Sequence, residues 1–275
     1  MNRIDINFKN GPLVMGILNV TPDSFYDGGK YNSIDAALYH VKEMINDGVD
    51  IIDVGGESTR PGAKTVSLEE EIDRVCPVIE KITHEFNVPV SIDTQKSKVA
   101  DEALKLGAIM VNDISGLQGD TDMPSTIARY NAYCIIMHIR GTPQTMQLNT
   151  EYNDLLSEIR MFLNNSIEIA KNKHIADDKI IIDPGIGFGK SIEQNYIILN
   201  NIKYFKQLGY PVLIGLSRKS LIGKLYDINE DRLPATIALN AIAIYNGVNI
   251  IRVHDVKVHK LIIKPLKMLY QVTNA

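Results

Sequence analysis

Asp93, Asn112, Asp183 and Lys219 are the residue types that hold a flat, nitrogen-rich heterocycle. A carboxylate accepts two parallel N–H bonds from an amidine-like edge, as it does from arginine, and an asparagine and a lysine satisfy the remaining edges. Met137 and Phe188 are suited to cover the two faces of such a ring, methionine being an adaptable contact for aromatic surfaces. The competing account of that pair is plain packing; for either carboxylate alone it is helix capping or a lysine partner. A second set, Asn19, Arg252 and His254, is directed at an anion. Side chains on a strand alternate, so Arg252 and His254 share one side and Val253 turns away. The planar fork of arginine matches a phosphate or diphosphate. Asn19 offers a neutral oxygen, a modest ligand for Mg²⁺, which keeps several waters and is shared with substrate phosphates. The competing account of His254 is a rim histidine satisfied by Asp255 or the backbone. The run DPGIGFGK (183–190) lacks the spacing and terminal Ser/Thr of a Walker A loop. It reads as a device that lets backbone and Phe188 come close to a flat ligand. No Ser-His-Asp or Cys-His grouping stands out, so the chemistry is electrostatics and positioning rather than a covalent nucleophile.

These groups lie at regular places in the chain. Aliphatic segments ending in polar residues recur at 13–20, 50–56, 89–94, 108–115, 132–140, 179–185, 211–219 and 248–255. Helical spacing falls between them, at 33–47, 70–86, 97–106, 125–130 (the weakest), 153–173, 192–208, 233–245 and 256–272. Ser67 is placed to cap the second helix, with Glu69, Glu70 and Glu71 in its first turn. Gly48, Gly107, Gly209 and Gly247 stand where helices should stop. Eight strands alternating with eight helices predict a parallel sheet with right-handed crossovers, and eight units fit an α/β class (β/α)₈ TIM barrel of one domain over 1–275. No Gly-x-Gly-x-x-Gly follows the first strand, which removes the usual sign of a dinucleotide fold. A barrel gathers function at the C-terminal ends of its strands. Those ends carry Asn19, Thr21 and Asp23; Asp53, Glu57, Thr59 and Arg60; Asp93; Asn112 and Asp113; His138; Asp183; Ser217, Arg218 and Lys219; and Arg252, His254 and Asp255.

The 275 residues carry a formal net charge of −4, which argues against a nucleic-acid partner but leaves room for an anionic small substrate. Two distant cysteines, Cys76 and Cys134, suit a reducing compartment and give no disulfide framework. There is no apolar run of signal-peptide or membrane-span length, so a cytoplasmic protein without a membrane partner is expected.

Seven segments, GILNVTPDSF (16–25), DVGGESTRPG (53–62), SIDT (91–94), NDISG (112–116), IDPGIGFGK (182–190), SRKSLIG (217–223) and RVHDV (252–256), resemble in order the signature segments of the dihydropteroate synthase family. They span nearly the whole chain, and the first two are long enough to be specific in themselves. The resemblance implies a folate-pathway transferase that joins a dihydropterin methyl diphosphate to p-aminobenzoate, the step at which sulfonamides compete. It implies pterin binding and catalysis by Asp93, Asn112, Asp183 and Lys219, and a diphosphate held by Asn19, Arg252 and His254, with Mg²⁺ on Asn19. It places Phe25, Ser58, Thr59, Arg60, Pro61 and Ser220 in the loops near p-aminobenzoate, and implies a homodimer. Departures are small: Asp231 where the family often has Glu, and Leu221 where Phe is frequent. The rival readings are a pterin-binding methyltransferase domain on the same barrel, a Schiff-base aldolase using Lys219, and a non-catalytic pterin binder. The first has no use for STRPG or RVHD.

Overall fold

The computed structural model describes residues 6–8, 11–21, 30–60, 62–225 and 231–273. Eight strands form one parallel sheet in the order β6-β5-β4-β3-β2-β1-β8-β7: β1 (Leu13–Asn19), β2 (Ile51–Gly55), β3 (Val90–Asp93), β4 (Met110–Asp113), β5 (Tyr133–Met137), β6 (Ile180–Asp183), β7 (Leu213–Gly215) and β8 (Ile250–Val253). A single bridge, Ile182 with Val212, joins β6 to the start of β7 and closes the ring. Ile182 N donates to the Pro211 carbonyl there at 2.9 Å.

Strand alternation divides the core in two. Val14, Leu18, Ile52, Val54, Ile92, Val111, Ile136, Ile182, Ile214 and Val253 face outward and pack in the large cluster beneath the helices. Met15, Ile51, Met110, Tyr133, Ile135, Ile181, Leu213 and Ile250 face inward and plug the lower half of the barrel. Most are fully buried, and each such side chain stabilises the fold by about 1.5–3 kcal/mol. A barrel filled below in this way leaves only its upper layer for polar work.

The helices are α1 (Lys30–Asn46), α2 (Leu68–Glu85), α3 (Ser97–Lys105), α4 (Met123–Tyr130), α5 (Leu155–Asn172), α6 (Ile192–Asn200), α7 (Ile202–Lys206), α8 (Ser220–Gly223), α9 (Leu233–Tyr245) and α10 (Val256–Thr273). Ser67 caps α2 as expected, its side chain accepting from Glu70 N. The four predicted stop glycines all have positive φ, between 85° and 101°. The count of eight helices needs correction, since ten occur among the described residues. The helix expected over 192–208 breaks at Asn201, whose φ of −116° leaves the helical region while its side-chain Nδ2 donates back to the Ile197 carbonyl at 2.7 Å. The other addition, α8, is a single turn that begins right after Lys219.

Candidate active site

The inward-facing residues at the strand tops follow from register. Ile51 and Ile250 lie in the plug, so Asp53 and Arg252, two further along, also point inward; Met110 likewise places Asn112, Ile135 places Met137 and Ile181 places Asp183. Asp93 lies beside Asn112 in register. Arg252 donates through Nε to Asp53 Oδ2 at 2.6 Å and through a terminal nitrogen to Asp93 Oδ2 at 2.6 Å. Asn112 adds a bond to the same Asp53 oxygen at 3.1 Å. Asp53 is fully buried, and its other oxygen has no partner among the described residues. The heterocycle-directed and anion-directed groups are therefore not separate sets. Arg252 ties them together.

Asp183, also buried, accepts from Gly185 N at 2.7 Å. Burial pushes its carboxyl up against the opposing pull of Lys219. Lys219 is thrown inward by the turn at Arg218, a non-glycine residue at φ 59°. Its ammonium bonds the Ile186 carbonyl and sits 4.4 Å from the centre of the Phe188 ring. Burial lowers its pKa to about 8, with Asp183 opposing the fall. Phe188 packs against the cluster of Ile114, Met137, Ile139 and Met146, so an apolar patch lies next to Asp183 and Lys219. The loop between β6 and α6 passes so close to β5 that a Cβ on Gly185 would lie 1.8 Å from the His138 carbonyl, and its φ is 72°. Only glycine fits there. Lys190 folds back beneath this loop, buried, with its Nζ donating to the Gly185 and Phe188 carbonyls at 2.8 and 2.9 Å and 2.9 Å from His138 Nδ1.

The rim is cationic. His254 Nδ1 lies 2.9 Å from Ser217 Oγ, rather than on Asp255 or a backbone group. Burial, then Arg218, Arg252 and Arg60, hold its ring down at about 4, against the pull of Asp255. Asn19 ends β1, and its Oδ1 lies 3.8 Å from the point a Cβ on Gly55 would occupy; Asp93 approaches the same gap. The loop after β2 is anchored by Lys96, which bridges Glu57 and the buried Glu71 at 2.5 Å each. Glu57 also accepts from Val66 N at 3.3 Å. Ser58 and Thr59 are half-buried and Arg60 exposed, while Ser220, exposed, opens α8. Phe25, Pro61 and Asp23 lie outside the described residues.

Asp93 sets a pH signature. Burial raises its carboxyl to about 7, with Arg252 opposing and Asp53 adding to the rise. A folded pKa above the unfolded 3.8 means a contribution to stability that is full below about pH 4 and is lost as pH climbs through 7. His254, held below its ordinary 6.5, works the other way: its contribution is present above 6.5 and lost as pH falls to about 4. Between pH 4 and 7 the stability of Asp93→Asn should therefore fall less with rising pH than that of the unmodified protein in denaturant titrations. An identical decline in the variant refutes this assignment.

The model of the pterin binding enzyme family matches residues 15–254. A dihydropteroate synthase of Clostridium beijerinckii is 51% identical over 254 residues, 92% of each chain. The chain belongs to the dihydropteroate synthase family. Solved members agree in structure. The dihydropteroate synthase of Clostridium difficile, crystallised in the presence of pteroic acid, superposes with a TM-score of 0.91 at 46% identity, covering 97% of this chain and 99% of that one. The Xanthomonas albilineans dihydropteroate synthase with 4-aminobenzoic acid gives 0.88 at 37% identity, covering 98% and 96%. Within this family frame, Asp93, Asn112, Met137, Asp183, Phe188, Lys219 and Arg252 meet around one barrel mouth, with Asn19 and His254 at its rim. Asp113 and His138, read from the sequence as part of the ring, face away from it. Asp113 turns into its own loop, accepting from Ser115 N at 2.8 Å and Leu117 N at 3.0 Å. His138 packs edge-on against Phe162, 4.9 Å between ring centres. Asp53, named among the strand ends by the sequence but given no binding role there, is the residue that holds Arg252 and Asn112 in the structure.

Proposed function

We propose that the chain is a dihydropteroate synthase that joins (7,8-dihydropterin-6-yl)methyl diphosphate to p-aminobenzoate, giving 7,8-dihydropteroate and diphosphate. The observation that carries the reading is the composition of one barrel mouth: buried carboxylates, an asparagine and a lysine beside the apolar Met137 and Phe188, under a rim of Arg60, Arg218, Arg252 and His254. Asp183 accepts two N–H bonds from the pterin's amidine-like edge, while Asp93, Asn112 and Lys219 meet its remaining polar atoms. Met137 and Phe188 cover the ring. Asn19, Arg252 and His254 receive the diphosphate.

The amine of p-aminobenzoate is a weak nucleophile, so the reaction gains from early departure of the leaving group. The bond from the pterin methylene to the diphosphate oxygen breaks with its electron pair on oxygen, in an SN1-like step. Asp93 and Asp183 stabilise the cation left on the pterin, Arg252 offsets the charge of the diphosphate, and His254, a neutral imidazole at pH 7, donates a hydrogen bond to it. The amine nitrogen then bonds the methylene carbon and loses a proton. Ser58, Thr59, Arg60 and Ser220 border the p-aminobenzoate, and the loops carrying them exclude water that would capture the cation. Among the described residues no group of three or more His, Cys, Asp and Glu could hold a metal ion. A lone amide oxygen such as that of Asn19 fits a cation bound chiefly through water and phosphate. Asn19 is thus the residue that would hold Mg²⁺, whose charge supplies further neutralisation of the leaving diphosphate.

The reading includes a cytoplasmic homodimer. No helix among the described residues is long and apolar enough to cross a membrane. Exposed Ile242, Tyr245, Leu261 and Met268 on α9 and α10 support a second copy as the cover for those helices. The test of function is diphosphate release from the pterin diphosphate with Mg²⁺, with and without p-aminobenzoate. Release coupled to dihydropteroate formation is expected. Pterin binding without release would return the methyltransferase reading.

A further inference from the structure

We propose that Lys190 is a positioning residue for the pterin site, tying the glycine-rich loop into the one shape that presents Phe188 to the ring. Every carbonyl of residues 185–189 is held by a side chain. Lys190 takes Gly185 and Phe188. Lys219 takes Ile186. Gln147 takes Gly187 and Tyr152 takes Gly189, both at 2.9 Å. Lys190 alone grips two of them, on either side of the segment that bears the Lys219 contact. Its third contact, His138 Nδ1, comes from the top of β5, so the loop is fastened to the strand next to β6.

The fastening survives either protonation state. Burial pushes Lys190 well below its ordinary value and His138 to about 2. As an ammonium, Lys190 donates to both carbonyls and to a neutral imidazole; as an amine, it donates to both carbonyls and accepts from Nδ1–H. A loop of three glycines at positive φ has no side chains of its own to hold it, apart from Phe188 and Ile186. An external tie is therefore needed to keep Phe188 fixed. The role rests on Phe188 being the stacking partner of the pterin.

The test pairs kinetics with hydrogen exchange on Lys190→Met, which fills the space and cannot donate. The KM for the pterin diphosphate should rise about 10–100-fold, the effect of misplacing a contact by an ångström, while the KM for p-aminobenzoate stays within about twofold. Protection should be lost in 184–190 and kept in the strands. An unchanged pterin KM would overturn the role, whether or not protection is lost. If the variant does not fold, the unmodified protein decides, since Phe188 N donates to Gly185 O at 3.1 Å and must exchange as slowly as a strand amide. Fast exchange there would overturn the tie. Absence of pterin binding by the unmodified protein, read by calorimetry, would remove the functional reading and the positioning role with it. That result is separable from a loop that is loose in a protein that still binds pterin.

Discussion

Asp183→Asn should lose at least about 100-fold in pterin affinity while keeping or gaining thermal stability at pH 7. The asparagine keeps an oxygen for Gly185 N, so the loop that begins there has its anchor. It replaces the second acceptor with a donor, which faces the donors of the amidine-like edge. Loss of one charge-assisted bond is worth about 1.5–3 kcal/mol, and a donor left unpaired in the buried site adds about 1–3. Stability moves the other way. Burial holds the folded pKa of Asp183 above its ordinary value, so its contribution is present at low pH and lost as pH rises through the folded value. A neutral amide avoids that loss. Calorimetric titration with a pterin and a melting curve separate the two effects; undiminished affinity refutes the bidentate role.

Arg252→Met should lower stability by about 3–5 kcal/mol at pH 7, because it leaves Asp53 and Asp93 buried without their cation. The deficit should widen as pH is raised from 7 toward 9, because Asp93, already raised to about 7 with Arg252 present, is pushed higher without it, keeps its proton at pH 7 and is forced to give it up only at higher pH. Denaturant titration at the two pH values reads this directly, and a deficit independent of pH contradicts it. Binding gives a second readout. A pterin diphosphate should lose far more affinity than a pterin without phosphate. Equal losses would mean that Arg252 serves only the carboxylates beneath it.

Much of the barrel was legible because its two signals are local. Aliphatic runs with polar ends mark the strands, and a period of two tells which residues enter the barrel, correctly for Arg252 and Val253. Asp53 was named among the strand ends but given no role, because its partner Arg252 lies 199 residues away and nothing local announces the pair. His138 and Asp113 were misjudged for a different reason: a polar residue at a strand end is not inward unless the register says so. The pairing of Lys190 with His138 joins residues 52 apart in sequence, and nothing local announces it. The break at Asn201 was hidden because apolar spacing continues through it.

The join between β6 and β7 also bears on how the enzyme holds its substrate. Every other pair of neighbouring strands shares three to five residues in register, whereas this one has a single bridge. Above that bridge, the bond from Lys219 to the Ile186 carbonyl crosses the same gap, from the loop after β7 on one side to the loop after β6 on the other. Asp183 and Lys219 stand on its two banks. The barrel is in this sense a hoop with a clasp, and a pterin held by both residues, as proposed above, would fasten it. Ligand and hoop then share one free energy: whatever the substrate gains by bridging the gap, the barrel gains in resistance to opening there.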